Sequence, residues 1–196
     1  MEPMTLTTDR LVLRPFGPDD TEAVHAACQD PEIPRWTTVP SPYTREHAHE
    51  FVTRTCPDGW RLDTLYNFAV TTRGEGHLVG AMGLVRLSLL NTAERQAELG
   101  YWTAKEQRGR GLTAEAAGAV ARWAFEELGV ERLEWCAEAG NTGSRAVALK
   151  AGFRMEGTMR GKIVHQGTRR DAWTGSLLPS DLGLTGGAVY LPHQGG

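Results

Sequence analysis

A chain of 196 residues, 40 % hydrophobic and 23 % charged, is long enough for one domain with a sizeable core and ordinary in composition for a globular protein. Its 21 basic and 24 acidic side chains nearly balance, so no broad field draws nucleic acid or an anionic membrane, and any anion site must be local. Cys28, Cys56 and Cys136 are odd in number and fit no metal spacing; they read as free thiols of a reducing cytoplasm. His47 and His49, two apart, face different sides of a helix, so no metal is expected. No apolar run nears the ~20 residues of a membrane span, and the first residues lack the basic and apolar regions of a leader. A cytoplasmic protein is expected.

Residues 5–14 alternate as a strand, with Leu11 and Leu13 on one face. Asp19 or Asp20 then caps a helix reaching about Ala27. Residues 31–45 carry four prolines and read as a loop. A helix capped by Thr44 follows from Arg45 to about Thr55 and is expected to end at Pro57-Asp58-Gly59. Strand patterns at Asn67–Thr72, Leu78–Leu89 and Ala97–Thr103 form an antiparallel meander. Residues 113–128 have helical apolar spacing and stop at Gly129. A strand at Arg132–Ala137, a helix at Ser144–Ala151, and two strands joined at Gln166-Gly167 complete an α+β domain with a mixed sheet over residues 1–178. Residues 179–196 read as a glycine-rich extended tail.

The chemistry concentrates at Arg108-Gly109-Arg110-Gly111-Leu112-Thr113, between a strand and a helix. A helix start offers unpaired N–H groups and partial positive charge to a phosphate. Glycines 109 and 111 permit turn dihedrals and close backbone approach, while Arg108 and Arg110 can add charge-assisted bonds. Thr113 adds a hydroxyl. Alternatives are a bare glycine turn, a P-loop, which needs a Gly-Lys-Ser/Thr that is absent, and a dinucleotide fingerprint, which the preceding meander opposes.

In this context Arg108-x-x-Gly111 resembles the acyl-CoA-binding motif of the GNAT superfamily of N-acetyltransferases, with Thr113 in place of the usual final Gly or Ala. Thr8–Arg14, Glu98-Leu99-Gly100-Tyr101-Trp102, Asn141-x-x-Ser144, Lys150–Phe153 and Glu156-Gly157 are similar to successive blocks of its RimJ/RimL-type branch, which acetylates protein N-termini. The resemblance spans about residues 5–178. It implies a GNAT-type mixed, mostly antiparallel sheet flanked by helices, with the fourth and fifth strands of the family splayed apart. It also implies acetyl-CoA as cosubstrate, an amine acceptor and, as is common in the branch, a homodimer.

By that resemblance, backbone of Tyr101, Trp102 and Thr103 runs along the pantetheine arm, amides of residues 108–113 (Arg108, Gly109, Arg110, Gly111, Leu112, Thr113) hold the pyrophosphate, and Asn141 lies near the arm. Tyr101 and Trp102 are equally readable as core aromatics. Acyl transfer to an amine needs a deprotonated nucleophile, a stabilised oxyanion and a protonated leaving thiolate. Ser144 is the candidate proton donor, or merely a helix cap. The acid some members carry after the Phe-x-x-Glu-Gly block is replaced here by Ile163, which leaves Glu98 and Glu138 as candidate bases and a non-catalytic CoA-binding module as the alternative. Trp36, Trp60 and Tyr66 line the acceptor cleft or form its floor. Arg169-Arg170 is more often surface than substrate contact.

Overall fold

The computed structural model describes residues 1–193. Its strands are β1 (Leu6–Thr7), β2 (Leu11–Pro15), β3 (Tyr66–Thr72), β4 (Leu78–Val85), β5 (Gln96–Thr103), β6 (Arg132–Glu138), β7 (Arg154–His165) and β8 (Thr168–Leu177). They form one sheet in the order β1-β2-β3-β4-β5-β6-β8-β7. Every neighbouring pair is antiparallel except β5–β6, whose parallel pairing is made possible by the helix between them. This is the α+β GNAT-type arrangement expected from the sequence.

Among the described residues, six α-helices flank the sheet: α1 (Thr21–Ala27), α2 (Glu32–Trp36), α3 (Arg45–Glu50), α4 (Cys56–Arg61), α5 (Leu112–Glu126) and α6 (Thr142–Lys150). Strand alternation sends Leu13, Phe68, Met82, Leu84, Leu99, Leu133 and Trp135 into one core with Ala116, Val120 and Trp123 of α5. Ala69 and Ala81 point the other way, into a smaller core with Val24 of α1, Ala48 of α3 and Val52. The two faces of β5 and β6 therefore look into different chemical surroundings.

Several local expectations change. The proline-rich segment holds α2, with Ile33 and Pro34 buried. Pro57 does not end the helix begun at Arg45. Phe51–Thr55 is wound as a π-helix, Cys56 N–H donates to Phe51 O, and Pro57 then occupies the first turn of α4, where a missing N–H is harmless. Gly59 lies inside α4, where a Cβ would come 2.7 Å from Leu65 O, so the glycine serves close packing and not a stop. The strand from Leu78 stops at Val85, since Arg86 turns left-handed (φ 56°) into a 3-10 turn at Leu87–Leu89. Asn141, not Ser144, caps α6: its side-chain oxygen accepts from Ser144 N at 3.0 Å.

The segment after β8 begins with a 3-10 turn at Pro179–Leu182, and Leu182 and Leu184 pack on the main core. The Glu131 carboxylate accepts from Gly187 N at 2.6 Å and Ala188 N at 3.4 Å. Residues 194–196 of the expected tail lie outside the described residues.

Candidate active site

The parallel ladder of β5 and β6 comprises Gln96↔Arg132, Ala97↔Leu133 and Glu98↔Glu134, and there it stops. Beyond Glu98, β5 continues to Thr103 paired with β4, and beyond Glu134, β6 continues to Glu138 paired with β8. The facing edges of residues 99–103 and 135–138 thus part from a vertex at Glu98. A cleft of about 1310 Å³ runs through this opening, bounded by the 36–43 segment, the turn after β5, the start of α6 and the tip of β7. It exceeds the ~300–1,000 Å³ of a single drug-sized pocket, leaving room for two reactants.

At the far end of β5, Gly109 (φ 75°) and Gly111 (φ 76°) are both left-handed, a conformation in which Cβ is strained. No atom lies within 4 Å of a Cβ added at Gly109, and only Arg10 Nη2, at 3.8 Å, approaches one at Gly111, so dihedrals rather than crowding require glycine. Among the described residues, no backbone carbonyl accepts from the amides of 109–111. With the start of α5 they make a concave set of free donors.

Both arginines of the turn have partners within the protein. Arg108 folds inward, donating to Thr103 O at 3.1 and 3.0 Å and pairing with the buried Asp30 carboxylate at 2.6 Å. Arg110 donates to Gln107, and its carbonyl accepts from Arg10 at 3.1 Å. Thr113 is buried, its hydroxyl 2.7 Å from that of Thr103. These contacts brace the turn from within the protein. Leu112 points into the core, so it offers only its amide.

On the α5/α6 face, four groups converge. Trp135 Nε1 donates to Ser144 Oγ at 3.0 Å; Ser144 Oγ donates to Tyr101 Oη at 3.2 Å; Tyr101 Oη donates to Ser144 O at 2.8 Å. Burial pushes the Tyr101 phenol up to about 12, against hydrogen bonds from Ser144 and Trp135 that lower it, so it stays protonated at neutral pH. The Tyr101 hydroxyl and the Trp135 indole were not anticipated as partners of Ser144. Tyr101 alternates to the face opposite Glu98, a signal that was available in the sequence; the reach of Trp135 depends on how α6 docks. Trp102 packs instead against the smaller core.

On the α1/α3 face lie the carboxylates. Glu98 is largely buried and pairs with Arg86 at 2.8 Å. Desolvation raises its carboxyl, assisted by Glu134 and opposed by Arg86 and Lys162. Glu138 accepts two bonds from Arg35, at 3.0 and 2.9 Å, with Arg170 4.0 Å away. The Arg35 hydrogen bonds hold Glu138 below the usual carboxylate range, which makes it an ion-pair partner and a poor proton acceptor. Ile163 lines the cleft, as does Trp36. Trp60 and Tyr66 do not: both are buried, packed at tilted or edge-on angles against each other and Trp123, with Phe68 edge-on to Trp60. Arg169 and Arg170 are exposed.

Among the described residues, no group of three or more His, Cys, Asp or Glu is placed to hold a metal ion, and no helix is long and apolar enough to cross a membrane.

The family profile described as Acetyltransferase (GNAT) domain matches residues 10–154. YdaF of Bacillus subtilis (strain 168), whose name gives it provisionally as a ribosomal N-acetyltransferase, is 41 % identical over 96 residues, covering 49 % of this chain and 52 % of its own length. The chain thus spans about half of that relative. YoaA of the same organism, an uncharacterized N-acetyltransferase, is 28 % identical over 85 % of this chain and 92 % of its own. The structure of Mycobacterium smegmatis RimJ in complex with CoA-disulfide superposes with a TM-score of 0.80 at 22 % identity, over 94 % of this chain and 93 % of that one, a likeness of fold. With the profile covering most of the chain and the β5–β6 opening in place, this protein belongs to the GNAT acetyltransferase family.

Proposed function

We propose that this protein is a cytoplasmic N-acetyltransferase that moves the acetyl group of acetyl-CoA to a primary amine, either a protein N-terminal α-amine or a small-molecule amine, by direct attack. The observation that carries the reading is the stop of the β5–β6 ladder at Glu98↔Glu134 with both strands running on. It leaves a backbone-lined slot leading straight to the free amides of 109–111. Tyr101, Trp102 and Thr103 would line the pantetheine arm, residues 108–113 the pyrophosphate through backbone N–H groups, and Asn141 the neighbouring wall. Arg108 and Arg110 serve there by rigidifying the turn.

Acetyl-CoA supplies an activated thioester. Around it, the two faces of β5 divide the proton work. Glu98, its carboxyl raised by burial, accepts a proton from the incoming ammonium on the α1/α3 face. An N–H near Thr103 polarises the thioester carbonyl. On the opposite face the Ser144 hydroxyl, 3.2 Å from that of Tyr101, donates its proton to the departing thiolate, and the second proton shed by the attacking nitrogen as it becomes an amide returns to the Ser144–Tyr101 pair, so both hydroxyls end protonated. An α-amine has a pKa near ~8, so only modest help is needed near neutral pH.

The test is acetyl-CoA-dependent release of free thiol over a panel of amines and N-terminal peptides, with the products weighed by mass spectrometry. A product one acetyl group heavier supports the reading. Tight CoA binding with no turnover across the panel overturns it and makes the chain a CoA-binding module. The homodimer expected from the family resemblance is checked by sedimentation.

A further inference from the structure

The strand from Leu78 ends for a reason that bears on the site. Val85 pairs with Glu98, so their side chains share a face. In a continuing strand residue 86 would project to the opposite face, that of Leu84 and Leu99, which is core. Arg86 instead adopts φ 56°, ψ 41°, and the chain is pinned immediately afterwards by the buried Leu87 and Leu90. Left-handed backbone at an arginine is unusual, and it breaks the alternation. Its result is that the guanidinium returns to the face of Glu98, with Nε 2.8 Å from Oε2.

We propose that Arg86 is a positioning residue for acetyl transfer, clamping the Glu98 carboxylate from a left-handed backbone position at the vertex where β5 and β6 part. The inference rests on the reading of Glu98 as the proton acceptor. The other groups facing Glu98 are accounted for. Glu134, its partner across the ladder, places a like charge beside it, and Arg132 draws that charge aside with Nε 3.2 Å from Oε1. Lys162 of β7 acts in the same sense as Arg86, and Cys136 of β6 lies beside them. Arg86 is the sole cation of this set in direct contact with Glu98 among the described residues. It fixes which way the carboxylate points and opposes the upward push of burial on the carboxyl.

The experiment is the pH dependence of kcat/KM for one fixed amine, with the wild type, Arg86→Asn, Arg86→Lys and Glu98→Gln. Asparagine tolerates left-handed backbone, so Arg86→Asn removes the charge and keeps the turn. Loss of a nearby cation moves the acidic limb of the profile to higher pH, by roughly half a unit or more given the exposure of Arg86. Arg86→Lys restores part of that displacement, and KM for acetyl-CoA stays within about twofold throughout. The amine's own ionisation is common to all four profiles. A limb unmoved in Arg86→Asn, while Glu98→Gln abolishes turnover, overturns the positioning role and leaves Glu98 standing. Full activity of Glu98→Gln overturns the base assignment itself. Thermal melting of each variant separates these outcomes from misfolding.

Discussion

Tyr101 Oη lies 3.2 Å from Ser144 Oγ and donates to the carbonyl of that same residue at 2.8 Å, so one tyrosine holds both the backbone and the hydroxyl of Ser144. The link joins β5 to the first turn of α6 across the opening between β5 and β6. Ser144 Oγ also accepts from the buried Trp135 indole. Removing the hydroxyl therefore has two separable effects. Ser144→Ala loses the proposed donor for the departing thiolate, and kcat should fall about 10- to 100-fold with little change in KM for acetyl-CoA, below the full ~10²–10⁴ of acid–base catalysis because Tyr101 remains nearby. It also strands the Trp135 N–H, a cost of about 1–3 kcal/mol visible as a lowered Tm. Steady-state kinetics beside thermal melting check both. An unchanged kcat would leave Ser144 with the structural role alone.

The turn proposed to hold the pyrophosphate makes a sharper demand. Gly111→Trp forces a bulky side chain onto φ 76°, a strain of about 1–3 kcal/mol, and places an indole where a ligand would meet the helix start. CoA binding by calorimetry should be lost. Arg108→Ala acts more indirectly. It should destabilise the fold by leaving the buried Asp30 carboxylate without its cation, and weaken CoA binding less than Gly111→Trp does. If Arg108→Ala abolished binding in a protein with normal melting, the turn would rely on the guanidinium after all.

Acid sensitivity follows from the paired carboxylates. Arg35 lowers Glu138, and Arg132, bonded at 3.0 and 2.7 Å, lowers Glu156. A carboxyl lower in the folded than in the unfolded chain contributes stability above its unfolded value near 4.5, and that contribution is lost as pH falls through the lowered value. Glu98 works the other way: its raised carboxyl favours the fold at low pH and loses that advantage as pH rises. The melting temperature should accordingly fall between about pH 5 and pH 3, the range of ordinary and lowered carboxylates. Glu156→Gln should flatten the descent at the cost of a lower plateau. A curve unaffected by that substitution would show that the Arg132 pair contributes nothing.

What the sequence made legible was what repeats locally. Alternation in Leu11–Arg14 and Ala97–Thr103, helical spacing in α5 and glycines at 109 and 111 all express short-range stereochemistry, and their elements appeared where expected. The misreadings arose where a distant partner or an uncommon backbone state decides the outcome. Pro57 looked like a stop because nothing local announces a π-helix before it. The pairing of Arg108 with Asp30 was hidden for the same reason, since Asp30 lies far back in the chain. The ion pair of Glu138 with Arg35, roughly a hundred residues away, is likewise invisible from its own strand. Arg86 looked like one more strand residue because a left-handed arginine leaves no compositional trace.

Cys136 gives a test of the opening that needs no mutation. Cys28 and Cys56 are buried, and desolvation pushes both thiols up to about 12, so neither reacts readily in the folded protein. Cys136 sits on β6 past the end of the β5–β6 ladder, half-buried, and lines the cleft. Burial raises its thiol too, with Glu98 and Glu134 adding to the shift and Lys162 and Arg86 opposing it, so its alkylation is slower than that of an unburied thiol. Iodoacetamide at pH 8 should label one cysteine of the folded protein and all three after denaturation, with peptide mapping placing the single label at Cys136. Because the proposed pantetheine path runs between β5 and β6, saturating acetyl-CoA should slow that labelling severalfold, while a mononucleotide lacking the arm should not. Equal rates with and without acetyl-CoA would mean that the arm does not enter between these strands. Labelling that fell with acetyl-CoA in wild type and was indifferent to it in Gly111→Trp would tie the turn and the slot to one ligand.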